Sequence, residues 1–393
     1  MKQWKILYFD LVKLQKNDMI WGLLSMDLSV RRADFRAPDA VYTEEDLERA
    51  LKEIKDAEIV ISQNFSAVVA EACHQTQRIY ASWVYDSPQA ALFMKEALYE
   101  TNCVFLFDKM QLRRMKDVGL KHLFYLPLAA NVERLSGLMI EDEEIEKYRT
   151  DVLFVGSLYQ DVRRDEYLKN LPEKAYAETE AVLAEQFGKW ERKAKVFRVL
   201  PEEILSLMYA ALNQNYMEEY AFDKEYLLQT LILSRELSSR ERIRMLSVLA
   251  NCCGVTCYTT GQDIDGTLSD VKICAPIEGE EEVFKAYYSA KINLNHTLTS
   301  IETGIPLRVF DILGVGGFVL CNDQEECHEL FEVDRELVTF SNFDEMKEKV
   351  LYYLGHEEQR IRIGIAGYQR VRDCYTYPIA MKTMLETIEK ETA

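Results

Sequence analysis

The chain has 393 residues, enough for two domains that each bury a substantial interior, and its 48% hydrophobic and 29% charged residues describe an ordered globular protein. A formal charge of −19 disfavours nucleic acid and anionic membrane surfaces as partners, since both call for basic patches against phosphate charge. Nine cysteines, clustered only at Cys252, Cys253 and Cys257, lack a zinc-type spacing. The N-terminal MKQWKILYFD reaches an aspartate too early for a signal-peptide apolar core, and no run of about 18 apolar residues occurs. The expectation is therefore a cytoplasmic protein with reduced thiols and no transmembrane segment.

WKILYF (4–9) reads as a buried strand that leads to Asp10, and the form recurs: EIVIS (58–62) leads to Asn64, IYASWVY (79–85) to Asp86 and CVFLF (103–107) to Asp108. Helical patterns lie between them, at 44–55 and 66–74 among others. This alternation predicts a parallel sheet with helices on its faces. Ligands of such sheets bind beyond the carboxyl ends of the strands, so Asp10, Asn64, Asp86 and Asp108 either line one edge of a cleft or cap the helices that follow. Ser87-Pro88 fixes a turn just where its strand delivers Asp86.

An acidic, helical or solvated run, EDEEIEK (141–147), precedes a new strand at 151–155 that ends in Gly156 and Ser157. From 162 to about 251 the pattern is helical, with Ile204, Leu207, Met208 and Ala211, then Leu227, Leu228, Leu231 and Ile232, at core spacing. Short β-type runs follow at 255–259 and 271–275. The stretch KINLNHTLTSIETGIPLRVFDILGVGGFVLC (291–321) then reads as strand, loop, short helix and strand, with Pro306 in the first helical turn and Gly314, Gly316 and Gly317 at its end. A loop entering a helix N-terminus presents unpaired N–H groups and the positive end of the dipole, which suits a phosphate. Arg308 and Asp311 share a helix face, where they either form an ion pair or hold phosphate oxygens and ribose hydroxyls respectively. His296, Ser300 and Gly304 lie in the same loop, His296 as a structural residue or as a donor to phosphate or sugar. The constellation points to a nucleotide diphosphate. Beyond it, 324–331 reads as helix, 336–340 as strand and 343–354 as helix, and Met381, Met384, Leu385 and Ile388 mark a last helix after Pro378.

SIETGIPLRVFDILGVGGFVL resembles the donor-site segment of group-1 glycosyltransferases, where a G-x-P-x-R-x-[FL]-[DE] run precedes a Gly pair and a strand. VLFVGSLY resembles the opening of the donor domain in GT-B enzymes. SWVYDSPQAALF and CVFLFDKMQLRRMKDVGLKHLFYLPLAANVERL resemble the N-terminal region of CgeB-like spore-maturation glycosyltransferases. The resemblance implies an α/β protein of GT-B fold: two Rossmann-like domains facing across a cleft. Residues 1–148 would form the acceptor side and 149–375 the donor domain, with a helical insertion at about 162–251, while a helix at 376–393 crosses back to the first domain.

The implied activity is metal-independent transfer of a sugar from a UDP- or GDP-linked donor to a glycan or protein acceptor, of cell-surface or spore-coat type, with no cofactor beyond the donor. By the same likeness Arg308 contacts the diphosphate, Asp311 the ribose, and Gly156 and Ser157 let backbone approach the phosphates, with His296, Ser300 and Gly304 completing the donor site. Asp86, then Asp10, are the candidate catalytic bases for an inverting mechanism; a retaining one needs none. Asp263-Ile264-Asp265 matches the D-x-D metal motif of the other major glycosyltransferase fold, but its Gly-flanked turn favours local hydrogen bonding and no metal is assigned. An inactive GT-B scaffold and a nucleotide-sugar epimerase are the alternatives. A nicotinamide oxidoreductase lacks its glycine fingerprint here.

Overall fold

A computed structural model describes residues 3–11, 18–35, 42–160, 171–190, 200–211, 220–263 and 265–391. Its first part runs β1 (Lys5–Asp10), α1 (Asp18–Leu24), β2 (Ser29–Asp34), α2 (Glu44–Ile54), β3 (Ile59–Gln63), α3 (Ala67–Thr76), β4 (Ile79–Val84), β5 (Asn102–Leu106), α4 (Lys109–Asp117) and β6 (Leu123–Tyr125). Next come α5 (Val132–Ser136), α6 (Asp142–Tyr148), β7 (Val152–Val155), α7 (Glu173–Gln186), α8 (Glu202–Ala211), α9 (Lys224–Ala250), β8 (Val255–Tyr258) and β9 (Lys272–Cys274). The chain closes with α10 (Glu280–Ser289), β10 (Ile292–Asn295), α11 (Leu307–Gly314), β11 (Val319–Asn322), α12 (Glu325–Leu330), β12 (Val338–Phe340), α13 (Phe343–Leu354), α14 (Glu357–Cys374) and α15 (Tyr377–Glu391). Parts of the stretch at about 162–251, read above as a helical insertion, lie outside the described residues. Among the described residues no helix is long and apolar enough to cross a membrane.

Two compact units result: residues 1–128, 201–230 and 377–393 form one, and 129–200 with 231–376 the other. Each is built on a six-stranded sheet whose pairings are all parallel, the first in order β2-β1-β3-β4-β5-β6 and the second β12-β11-β10-β7-β8-β9. The central strands are apolar runs because a parallel sheet is covered on both faces: Ile59, Val60 and Ile61 of β3 and Leu153 and Phe154 of β7 are buried. In the first unit α15 packs beside α1. A Cβ on Gly22 would stand 3.0 Å from the Tyr377 carbonyl carbon, so the glycine is what lets the two helices approach. Tyr377 also meets Trp83 edge-on at 5.8 Å and bonds Tyr85 through its hydroxyl.

In the second unit α6 is tied to α10 by charge. Glu282 accepts from Lys147 at 2.9 Å, from Lys285 at 3.0 Å and from the Tyr148 hydroxyl, and Lys285 also pairs with Glu144. These donors, Tyr148 first and then the two lysines, pull the Glu282 carboxyl from its ordinary 4.5 down to about 2. A carboxyl depressed in the folded state contributes stability that is present above its unfolded value and is lost as pH falls through its folded one. The stability gap between wild type and Glu282→Gln, read by urea midpoint, is therefore expected to narrow as pH is lowered from about 5 toward 2, and to shrink in high salt because the cluster lies at the surface and is only partly shielded from ions.

Candidate functional site

Strand order places the site. In the second sheet β7 lies in the middle, with β8 and β9 on one side and β10, β11 and β12 on the other, so the direction of winding reverses between β7 and β10. Loops leaving the carboxyl ends of the two strands at such a point diverge and leave a crevice, which is where doubly wound sheets bind nucleotides. The two loops here are Gly156–Ser157 after β7 and the segment 296–306 after β10.

Arg308, in the first turn of α11, lies against Gly156. That residue has φ +155, and a Cβ on it would sit 3.0 Å from one terminal guanidinium nitrogen and 3.2 Å from the other. The backbone angle favours glycine, and a side chain there would press on the guanidinium. Arg308 is half-buried, and its guanidinium makes no hydrogen bond or ion pair among the described residues. The ion pair with Asp311 is therefore not formed among the described residues. Asp311 stands three residues further along the same short helix, also half-buried.

Behind the two loops is a buried polar network that the sequence reading did not anticipate. Arg242, on α9, is 3% exposed and donates to the carbonyl oxygens of Ser157 at 2.6 Å and His296 at 2.7 Å, one on each loop. Its guanidinium also lies over the Tyr159 ring at 4.5 Å. Burial, opposed by Tyr159 and reinforced by the neighbouring Arg308, brings its pKa down to about 10. Glu241, next to it, is fully buried and accepts from the Gly188 backbone at 2.9 Å, the Trp190 indole at 3.2 Å and His296 Nε2 at 2.8 Å. Arg242 Nε faces His296 Nδ1 at 3.4 Å. A guanidinium only donates, so Nδ1 is the acceptor and the imidazole proton sits on Nε2, toward Glu241. Both ring nitrogens of His296 thus face protein groups, which makes the residue a tie between loop and helix.

The rest of the loop is fixed in the same manner. Thr297 N–H donates to Asn322 Oδ1 at 2.7 Å, Thr299 N–H to Ser238 Oγ at 3.0 Å, Gln324 to the Ile301 carbonyl at 3.0 Å and the Thr303 hydroxyl to Glu326 at 3.0 Å. Ser300 and Gly304 are buried within it. Glu241 and Arg242 went unnoticed because SSRERIRML looks like an ordinary solvated helix face; only the fold brings two strand-end carbonyls to that face. Asp263 and Asp265 accept from the backbone N–H groups of Leu268 at 3.1 Å and Thr267 at 3.0 Å, the local turn bonds expected of them, while Ile264 between them lies outside the described residues.

In the first unit the four strand-end residues take different roles. Asp108 is wholly buried, caps α4 by accepting from Met110 and Gln111 N–H and also accepts from Ser87, so capping is its role. Asp86, after β4, accepts from Asn64 Nδ2 at 2.8 Å, and Asn64, at φ +63, accepts in turn from Tyr85 N–H at 2.7 Å. Asp10 is paired with Arg32 on the neighbouring edge strand β2. At the carboxyl edge of the sheet Asp10 is half-buried and Asp86 is exposed.

Residues 240–386 match the model of a family described as glycosyl transferase-like, a span that takes in Glu241, Arg242, His296 and the whole of α11. Among solved structures the chain is similar to Anabaena Alr3699/HepE in complex with UDP-glucose (9% identity, TM-score 0.54, 98% of this chain and 100% of that one). It is also similar to a glycosyltransferase from Rickettsia africae ESF-5 (10%, TM-score 0.50, 99% of each chain) and to sucrose-phosphate synthase from Thermosynechococcus elongatus (10%, TM-score 0.50, 98% of each chain). These are GT-B structures, and the two parallel six-stranded sheets with flanking helices give this chain the same α/β GT-B fold. No curated protein matches the sequence.

Proposed function

We propose that the protein is a glycosyltransferase of CgeB-like type that moves a hexosyl group from a nucleotide-diphosphate sugar to a cell-surface, spore-coat or protein acceptor. The observation that carries the reading is Arg308: a guanidinium without a protein partner among the described residues, laid on a glycine backbone at a helix N-terminus, at the switch point of a doubly wound sheet. The similar Anabaena protein has been solved with UDP and with UDP-glucose, which favours a uridine donor.

In transfer, the bond from the anomeric carbon to the diphosphate oxygen breaks while a bond to the acceptor oxygen forms, and negative charge collects on the departing diphosphate. Arg308 and the N–H groups of the first turn of α11 stabilise that charge, which is the task a metal performs in other transferases, and the reaction is proposed to run without one. Asp311 is assigned to the ribose hydroxyls, and Gly156 and Ser157 to close backbone approach. The acceptor proton passes to Asp86, or to Asp10, if the anomeric centre inverts. His296, with both ring nitrogens facing Glu241 and Arg242, shapes the loop that holds the phosphates.

The test is turnover. UDP-glucose, UDP-N-acetylglucosamine and GDP-mannose are supplied with cell-envelope glycans, with and without a chelator, and release of nucleoside diphosphate is followed. Sugar-dependent release that survives the chelator is the expected result. Interconversion of the free donor without release would replace transferase by epimerase, and no change in any donor would leave an inactive scaffold.

A further inference from the structure

Arg242 is an expensive residue to keep if its only task is to pack α9 on the sheet. A buried cation loses its hydration, and an apolar side chain of similar volume is commonly as stable or more so. Arg308 lies against Gly156 and Arg242 donates to the carbonyl of the next residue, Ser157, so the two positive groups stand near each other and oppose each other. Yet the donors of Arg242 go to two carbonyls that matter to nucleotide binding, that of Ser157 after β7 and that of His296 after β10, each within 2.7 Å.

We infer that Arg242 is the positioning residue of the diphosphate site: it ties the two switch-point loops to one rigid fork and sets a second positive charge behind Arg308, so that the crevice is built for two phosphates rather than one. This rests on the donor-site reading above. Three features support it. The planar guanidinium reaches both loops at once, fixing their separation in a way two independent contacts would not. Glu241 supports the fork from the side, because its carboxylate holds His296 Nε2 and leaves Nδ1 facing Arg242 Nε. Finally, two adjacent guanidinium groups repel until an anion stands near them, and a diphosphate relieves that repulsion more than a monophosphate does.

The experiment compares UDP with UMP, and GDP with GMP in parallel, by calorimetric titration of wild type, Arg242→Gln and Arg242→Lys, with melting temperature as the check on folding. A residue that merely packs would weaken mono- and diphosphate alike, or neither. The inference predicts that Arg242→Gln raises the UDP dissociation constant about 10-fold or more while changing that of UMP less than about 3-fold, and that Arg242→Lys, which keeps the charge but not the fork, falls between wild type and Gln. Equal losses for UDP and UMP, or an unchanged UDP affinity in a folded variant, overturn it. Should Arg242→Gln fail to fold, Arg242→Lys decides, and a UDP-to-UMP preference equal to wild type overturns the inference. Wild type that binds neither UDP nor GDP overturns the donor-site reading itself, and this inference with it.

Discussion

Arg308→Ala is expected to raise the dissociation constant of the bound nucleoside diphosphate by about 10- to 100-fold while leaving the melting temperature unchanged or slightly higher. The two halves of this result have one origin. A charge-assisted hydrogen bond contributes roughly 1.5–3 kcal/mol, and a diphosphate held by the guanidinium would lose at least one such bond. The folded protein without ligand loses nothing comparable, because the guanidinium has no hydrogen bond or ion pair among the described residues and is opposed by Arg242 nearby. A group that adds affinity and no stability is one placed for a ligand. Calorimetry and thermal melting on the same preparations read both quantities. A fall in melting temperature with unchanged diphosphate affinity would make Arg308 a structural residue.

Glu241→Ala is expected to act in the opposite sense, on stability. Its carboxylate accepts from Gly188, Trp190 and His296 and faces the buried Arg242. Removing it leaves the donors of Gly188, Trp190 and His296 without this acceptor and takes away a negative charge that favours the charged form of buried Arg242, and breaking a buried, hydrogen-bonded charge in this way costs about 3–5 kcal/mol. Urea unfolding followed by Trp190 fluorescence reports on the affected unit; two units make a single two-state fit unsafe, so the transition of the second unit is the one to read. Glu241→Gln, which keeps one acceptor oxygen and the volume, is expected to lose clearly less. A loss below about 1 kcal/mol in the alanine variant would show that the network is not closed as described.

The parts of the fold that the sequence showed plainly are those where one physical cause dominates. β1, β3, β4, β5, β7 and β10 are covered on both faces and read as apolar runs. β2, SVRRAD, was missed because it is an edge strand with mostly exposed side chains, and its arginines pair with Glu53 and Asp10. The three-residue β6 is half-buried throughout and too short to show a period.

Around the candidate site, the placement of Gly156 just after a strand and of Arg308 and Asp311 on a short helix was legible because strand end and helix start are local features of the sequence. Whether Arg308 pairs within its helix was not legible, since that depends on where Gly156 lies. Glu241 and Arg242 lie some 55 residues before the loop they hold, and a bond between a helical guanidinium and a strand-end carbonyl leaves no local periodicity to find. Asp108 was ambiguous for a related reason: a strand-end aspartate looks the same whether it faces a ligand or caps a helix, and only its complete burial decides.

Whether the crevice between the loops after β7 and β10 holds a nucleoside diphosphate is read by titrating the wild-type protein with UDP, GDP, CDP, ADP, TDP and NAD in a calorimeter. One diphosphate, UDP first, is expected to bind with a dissociation constant on the order of micromolar, corresponding to about −8 kcal/mol, and NAD is expected not to bind. Absence of binding by every diphosphate would contradict the donor-site reading.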